Sequence, residues 1–139
     1  MRFSQEEMEL ALKEINQNQK PVSGFIGSLA GAVVGLVIYV FFSQMGSVLY
    51  LMLALPPAAV GLFARFTGRT YKAKHRIIIG VVGAIVHIAG CILLGLNPLI
   101  YLLTPVAFFI SMHLAKIKLE RVQLWAIKQE ELGQLNIGE

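Results

Sequence analysis

The sequence predicts an all-α integral membrane protein: a four-transmembrane-helix bundle with a short cytosolic amphipathic helix at each end. Hydrophobic residues make up 56% of the 139 residues and charged residues only 14%, whereas about 25% of a typical soluble domain is charged. Four apolar runs occupy residues 22–43, 47–66, 75–95 and 98–117. About twenty helical residues cross the ~30 Å hydrocarbon core of a bilayer, so each run is long enough to span it.

The segment before the first run, residues 1–20, is predicted to form a cytosolic amphipathic helix. Ser4 and Glu7 have the spacing of a capping box at its start. Apolar residues then follow at i, i+3, i+4 and i+7, which is the stripe of an amphipathic helix: Met8, Ala11, Leu12 and Ile15. Two interpretations stay open, a helix lying on the membrane or on the protein's own cytosolic face, and a helix that docks a partner.

Small residues form ridges along the first and third runs. Such ridges let helix backbones approach closely in lipid. Three glycines of the first run are four residues apart, and three more recur in the third: Gly27, Gly31, Gly35, Gly80, Gly83 and Gly90. We expect the first and third spans to pack through these faces. Packing within one chain is the default because adjacent spans are tethered, but packing between chains stays open.

Prolines interrupt the second and fourth runs. Pro56 and Pro57 lie in the middle of residues 47–66, and Pro105 lies within residues 98–117. Because a proline inside a helix removes a backbone donor and clashes with the preceding turn, both spans are predicted to be kinked. The transmembrane domain therefore covers residues 21–118, and the fourth helix is expected to continue into a cytosolic helical tail at residues 119–139.

Charge patterning predicts the topology. All twelve Lys and Arg residues fall at residues 2–20, 65–76 or 116–128, and the turns at 44–46 and 96–98 carry none. Basic residues stay on the cytoplasmic side during insertion, so both termini and the central loop are predicted to be cytoplasmic. The basic loop has few aromatic residues interleaved with its charges, unlike single-stranded nucleic-acid sites. We therefore interpret the basic loop as a topology signal and not as a nucleic-acid or lipid-specific site. For the chain as a whole we expect the lipid bilayer, and no nucleic acid, as partner.

His87 is the one titratable residue near the predicted membrane midplane, about 18 Å from the cytoplasmic end at ~1.5 Å per residue. By the same count Thr104 and Pro56 lie at a similar depth, with Pro105 next to Thr104. A histidine, a hydroxyl and carbonyls freed by prolines would make a small polar site. The alternative is a buried neutral histidine that only satisfies its own hydrogen bonds.

No enzyme, metal site or cofactor is expected. The membrane runs contain no carboxylate at all, and Cys91 is the single cysteine, so a paired-cysteine metal site is excluded. His113 lies about 10 Å shallower than His87, which argues against a shared metal. Cys91 and His87 share a helix face, but no further group completes a nucleophilic site.

Three glycine-based motifs resemble one family. They are G-x-x-x-G-A-x-x-G from Gly27 to Gly35, AVGLFARFTG at residues 59–68, and G-x-x-G-A from Gly80 to Ala84. Together they resemble a group of small bacterial four-span membrane proteins of uncharacterised activity. The resemblance implies a multi-pass protein of the bacterial inner membrane and no particular activity. Small multidrug transporters fit less well, because they carry a glutamate inside the first span.

These features lead to one main hypothesis for function and to two others. The main hypothesis is a non-enzymatic membrane protein that acts through helix packing and association, with itself or as an accessory subunit of a membrane complex. The alternative is a homo-oligomeric transporter or channel for a small neutral or weakly polar solute. The third is a membrane-perturbing protein of the holin kind.

Overall fold

The computed structural model describes residues 3–44 and 53–135, without the side chain of Phe42. Regular structure in this part is entirely helical, which confirms the all-α class. The α-helices are α1 (Gln5–Asn18), α2 (Pro21–Ser43), α3 (Leu55–Gly68), α4 (Ala73–Leu93), α5 (Thr104–Leu114) and α6 (Arg121–Glu131). A 3-10 helix, Pro98–Leu103, precedes α5. The chain forms two compact units, one of Met1–Gln19 with Lys118–Glu139 and one of Lys20–Ile117.

The first unit, called here the terminal unit, consists of α1 and α6 packed on each other. The predicted capping box is present, since Ser4 Oγ accepts from the Glu7 N–H at 3.2 Å and Glu7 Oε2 accepts from the Ser4 N–H at 2.8 Å. The predicted stripe of α1 is largely buried, and α6 buries Ala126. Each short helix thereby covers part of the apolar face of the other.

The predicted continuous helix from the fourth run into the tail is interrupted. α5 ends at Leu114 and α6 begins only at Arg121. The Gln123 side chain accepts a hydrogen bond from the Glu120 N–H at 2.9 Å, which is one half of a capping box. The tail therefore begins a new helix at Arg121, which the sequence pattern did not predict.

The second unit, called here the bundle, opens with an antiparallel hairpin of α2 and α3. A Cβ at Gly35 would lie 3.1 Å from Pro56 Cβ, one at Gly31 only 2.8 Å from Val60 Cα, and one at Gly24 3.2 Å from Gly68 Cα. The Lys20 N–H donates to the Gly68 carbonyl at 2.8 Å. The glycine ridge of α2 thus packs on α3 of the same chain, and not on α4 as predicted.

The remaining helices complete an up-down bundle. The ridge of α4 faces α5, where a Cβ at Gly80 would lie 2.8 Å from the Phe108 ring and one at Gly83 would overlap the Ser111 side chain. A Cβ at Gly61 of α3 would lie 2.6 Å from the Ser111 carbonyl oxygen. α3 therefore contacts both α2 and α5, and only Gly90 of the α4 ridge faces α2.

The prolines begin helices and do not kink them. Pro56 and Pro57 occupy the first turn of α3, and Pro105 occupies the first turn of α5 after the 3-10 helix. Proline is favoured there, because the first N–H groups of a helix have no partner within it. Asn97 caps the 3-10 helix, with its Oδ1 accepting from the Leu99 N–H at 3.0 Å. Of the predicted second span, residues 47–52 lie outside the described residues.

Two helices of the described part are long and apolar enough to cross a membrane, namely α2 over Pro21–Phe41 and α4 over Ala73–Leu93. The segment Pro98–Leu114 is apolar but shorter. These two helices support membrane association by length and composition. The four-span architecture stays a prediction.

Candidate functional site

His87 lies at the centre of a buried polar cluster within the bundle. Its side chain is only 1% exposed, and both ring nitrogens have partners. The Tyr39 hydroxyl on α2 lies 3.1 Å from Nδ1, and the Ile100 carbonyl oxygen of the 3-10 helix lies 3.3 Å from Nε2. The histidine therefore links three segments of the bundle through one ring.

The partners define the tautomer of His87. A carbonyl oxygen only accepts hydrogen bonds, so Nε2 carries the proton and donates it to Ile100. In the neutral imidazole that carries this proton, Nδ1 is the acceptor and the Tyr39 hydroxyl donates to it. Both ring nitrogens are then hydrogen-bonded, as burial of a polar group requires.

Gly90 explains how Tyr39 reaches His87. A Cβ at Gly90 would overlap the Tyr39 ring, since it would lie 2.7 Å from Cζ. The absence of a side chain at Gly90 therefore leaves a slot on α4, which the ring fills. Tyr39 is only 3% exposed. The sequence places this tyrosine at the end of the first run, where it resembles an interfacial aromatic residue, and that resemblance hid its role inside the bundle.

Two further features adjoin the histidine. Cys91 Sγ lies 3.6 Å from Nε2, and the cysteine is fully buried one helical turn away. A partly open cavity of about 140 Å³ borders the ring and is otherwise lined by apolar side chains of the α3 start, the 3-10 helix and α5. The cavity can hold a few atoms of an apolar or weakly polar molecule beside a histidine whose polar positions are already occupied.

The other residues predicted for the midplane site do not converge on His87. The Thr104 hydroxyl donates to the Tyr101 carbonyl at 2.7 Å within its own turn. Pro56 packs against Gly35, and Pro105 starts α5. Among the described residues, no group of three His, Cys, Asp or Glu side chains is placed to hold a metal ion.

A second buried polar contact was missed by the sequence analysis. The Ser111 hydroxyl of α5 donates to the Pro57 carbonyl at 2.7 Å, and Ser111 is fully buried. Gly61 on α3 and Gly83 on α4 both leave the space that this serine occupies. The sequence signal for this contact was the presence of a glycine on each of the two neighbouring helices. The sequence alone does not show that both glycines face Ser111.

Comparison of the chain with protein-family models, curated proteins and solved structures finds no match.

Proposed function

We propose that this chain is a small, non-enzymatic integral membrane protein with four membrane-crossing segments, and that it acts through association. The observation that carries the proposal is the surface of the bundle. Large apolar side chains on the outer faces of α2 and α4 are between a third and three quarters exposed, among them Val22, Ile26, Val33, Val37, Ile77, Ile85 and Ile92. Extended exposed apolar surface is rare on soluble monomers and marks interaction or membrane surfaces, so a lipid environment is proposed for these faces.

Charge placement supports one orientation of the whole bundle across the membrane. Between residues 20 and 117 the chain has seven Lys or Arg residues and no Asp or Glu. The hairpin of α2 and α3 brings Lys20 beside Gly68, and α5 runs parallel to α3 and ends two residues before Lys116. All seven cations therefore cluster at one end of the bundle. This end is proposed as the cytoplasmic one, in a bacterial inner membrane.

Segment lengths are compatible with four crossings. The 3-10 helix and α5 together measure about 28 Å at ~2.0 and ~1.5 Å per residue, close to the thickness of the hydrocarbon core. α3 measures about 21 Å on the same rise, and it follows residues outside the described part. α3 and α5 pack directly on the two long apolar helices. All four segments are therefore proposed to lie in the same lipid environment.

Association needs a surface other than the glycine ridges, because those ridges are filled inside the chain. The terminal unit offers one. Its large apolar residues Leu10, Leu124, Trp125 and Leu132 are each about half exposed or more, and they stand among charges of both signs. A partner subunit, or a second copy of the chain, is proposed to bind there.

Native mass spectrometry of the full chain, extracted gently at native expression, tests association. A stoichiometric second polypeptide or a homo-oligomer is expected. Leu10→Glu should dissociate it, whereas Lys13→Glu, an exposed change on the same helix, should not. A monomer without any partner, under conditions that preserve a known membrane complex, would contradict the proposal.

Membrane integration is tested separately by alkaline carbonate extraction and by labelling single cysteines introduced at both ends of the bundle in a variant lacking Cys91. The chain is expected to remain in the pellet, with cysteines at the exposed positions 20, 74 and 116 accessible only from the cytoplasm. Release into the supernatant would contradict membrane integration.

The cavity beside His87 favours a second candidate, transport of a small neutral or weakly polar solute. Replacement of His87 by Leu would then abolish flux without loss of expression, and Thr104→Val would leave flux intact because Thr104 bonds only within its own turn. If His87→Leu leaves the growth and the solute uptake of cells unchanged, this candidate is removed.

A further inference from the structure

A groove opens on the bundle between the first turns of α4 and the last turns of α5. It has a volume of about 640 Å³, and its lining includes Arg76, Val106, Phe109, Ile110, His113 and Lys116. From His113 to Val106 the lining follows α5 for about 10 Å toward the middle of the bundle, at ~1.5 Å per residue. The groove is thus basic at the charged end of the bundle and apolar at its inner end.

The basic groups of the groove have no counter-charge within the bundle. No Asp or Glu lies between residues 20 and 117, and Nε of Arg76 is shielded from solvent without a hydrogen-bond partner among the described residues. His113 and Lys116 are exposed. A guanidinium and an ammonium with no carboxylate in their own unit form a site for an anion, and Arg is well suited to phosphate.

The apolar wall selects among anions. Phe109 is 64% and Val106 50% exposed, which offers contact to a hydrocarbon chain and nothing to a free inorganic anion. From this combination we infer that the groove binds an anionic phospholipid, with its phosphate between Arg76 and Lys116 and one acyl chain along Val106 and Phe109. The inference rests on the membrane placement proposed above, since a lipid of the cytoplasmic leaflet would reach the groove laterally.

The test is lipid retention by the purified full chain in detergent, measured by native mass spectrometry. The probes are phosphatidylglycerol and phosphatidylcholine with the same acyl chains. We expect selective retention of phosphatidylglycerol, about fivefold weaker in Arg76→Gln and in Lys116→Gln, since a basic residue near an anionic lipid surface contributes about 1 kcal/mol.

Lys74→Gln is the matched control. Lys74 is an exposed residue of the first turn of α4, two positions from Arg76 and outside the lining of the groove, so this variant should retain phosphatidylglycerol as the parent does. Equal loss in Lys74→Gln would show a diffuse charge effect and overturn the inference. If Arg76→Gln does not fold, Lys116→Gln at the exposed end of the groove decides alone.

Two other outcomes overturn the inference. One is equal retention of the two lipids. The other is full competition by glycerophosphoglycerol, the headgroup without acyl chains, which would assign the site to a free anion. If the chain nevertheless remains in carbonate-washed membranes, the proposed membrane integration stands and only the lipid site fails.

Discussion

The contact between Tyr39 and His87 can be tested by removing one oxygen atom. Tyr39→Phe keeps the ring in the slot opened by Gly90 but leaves Nδ1 of His87 without its donor. A buried group left unpaired costs about 1–3 kcal/mol, whereas interhelical hydrogen bonds in membranes average about 0.6 and reach about 1.7 kcal/mol. We therefore expect the free energy of unfolding to fall by about 1 kcal/mol.

A double-mutant cycle with His87→Leu isolates this bond. In the leucine background the tyrosine hydroxyl is already unpaired, so its removal should be neutral or stabilising. Unfolding would be followed by circular dichroism in detergent micelles titrated with sodium dodecyl sulfate. Tyr101→Phe serves as the control, because the Tyr101 side chain is only half-buried. An equal cost of Tyr39→Phe in both backgrounds would refute the assigned hydrogen bond.

Three further predictions follow from contacts in the two units. Gly31→Leu should lower the free energy of unfolding by about 3 kcal/mol or more, because overpacking forces α2 away from α3. The control Ala30→Leu, on the exposed side of α2, should change it by less than about 0.5 kcal/mol. The same titration with sodium dodecyl sulfate measures both variants. Ser111→Ala removes the donor to Pro57 and should cost about 1 kcal/mol in that titration, and an unchanged midpoint would contradict the bond. Ser4→Ala should destabilise α1 by about 1 kcal/mol, and faster amide hydrogen exchange in its first two turns would report it.

Helix positions were predictable where one local signal dominates. α2 follows the uncharged run that starts at Pro21, and α1 follows its capping box and its apolar stripe. The asparagine cap before Pro98 was also predictable, because its donor and acceptor are close in sequence. In each case the residues that define the element lie within one or two turns of one another.

Helix pairing was not predictable in the same way. A ridge of glycines predicts close approach but carries no information about which helix approaches, and the α2 ridge packs on its nearest neighbour in sequence. The prolines show the same ambiguity, because Pro56 could kink a long helix or begin a shorter one. The apolar run around it has no charge or cap to distinguish the two.

The candidate site was predicted in part. His87 stood out as a titratable group in an apolar run, and the structure gives it two buried partners. Thr104 matched it in depth, but depth along a helix does not fix the direction of a side chain. Tyr39 and the carbonyl of Ile100 were missed because their roles depend on tertiary contacts.

The pairing of α2 with α3 has a consequence for biogenesis. Because the glycine ridge of α2 is filled by the next helix along the chain, the first hairpin can close once residue 68 has left the ribosome, before all of α4 has emerged. The bond from Tyr39 to His87 then joins this hairpin to the second one, formed by α4 and α5. Variants at these two residues should therefore leave each hairpin intact and slow the docking of the two completed hairpins.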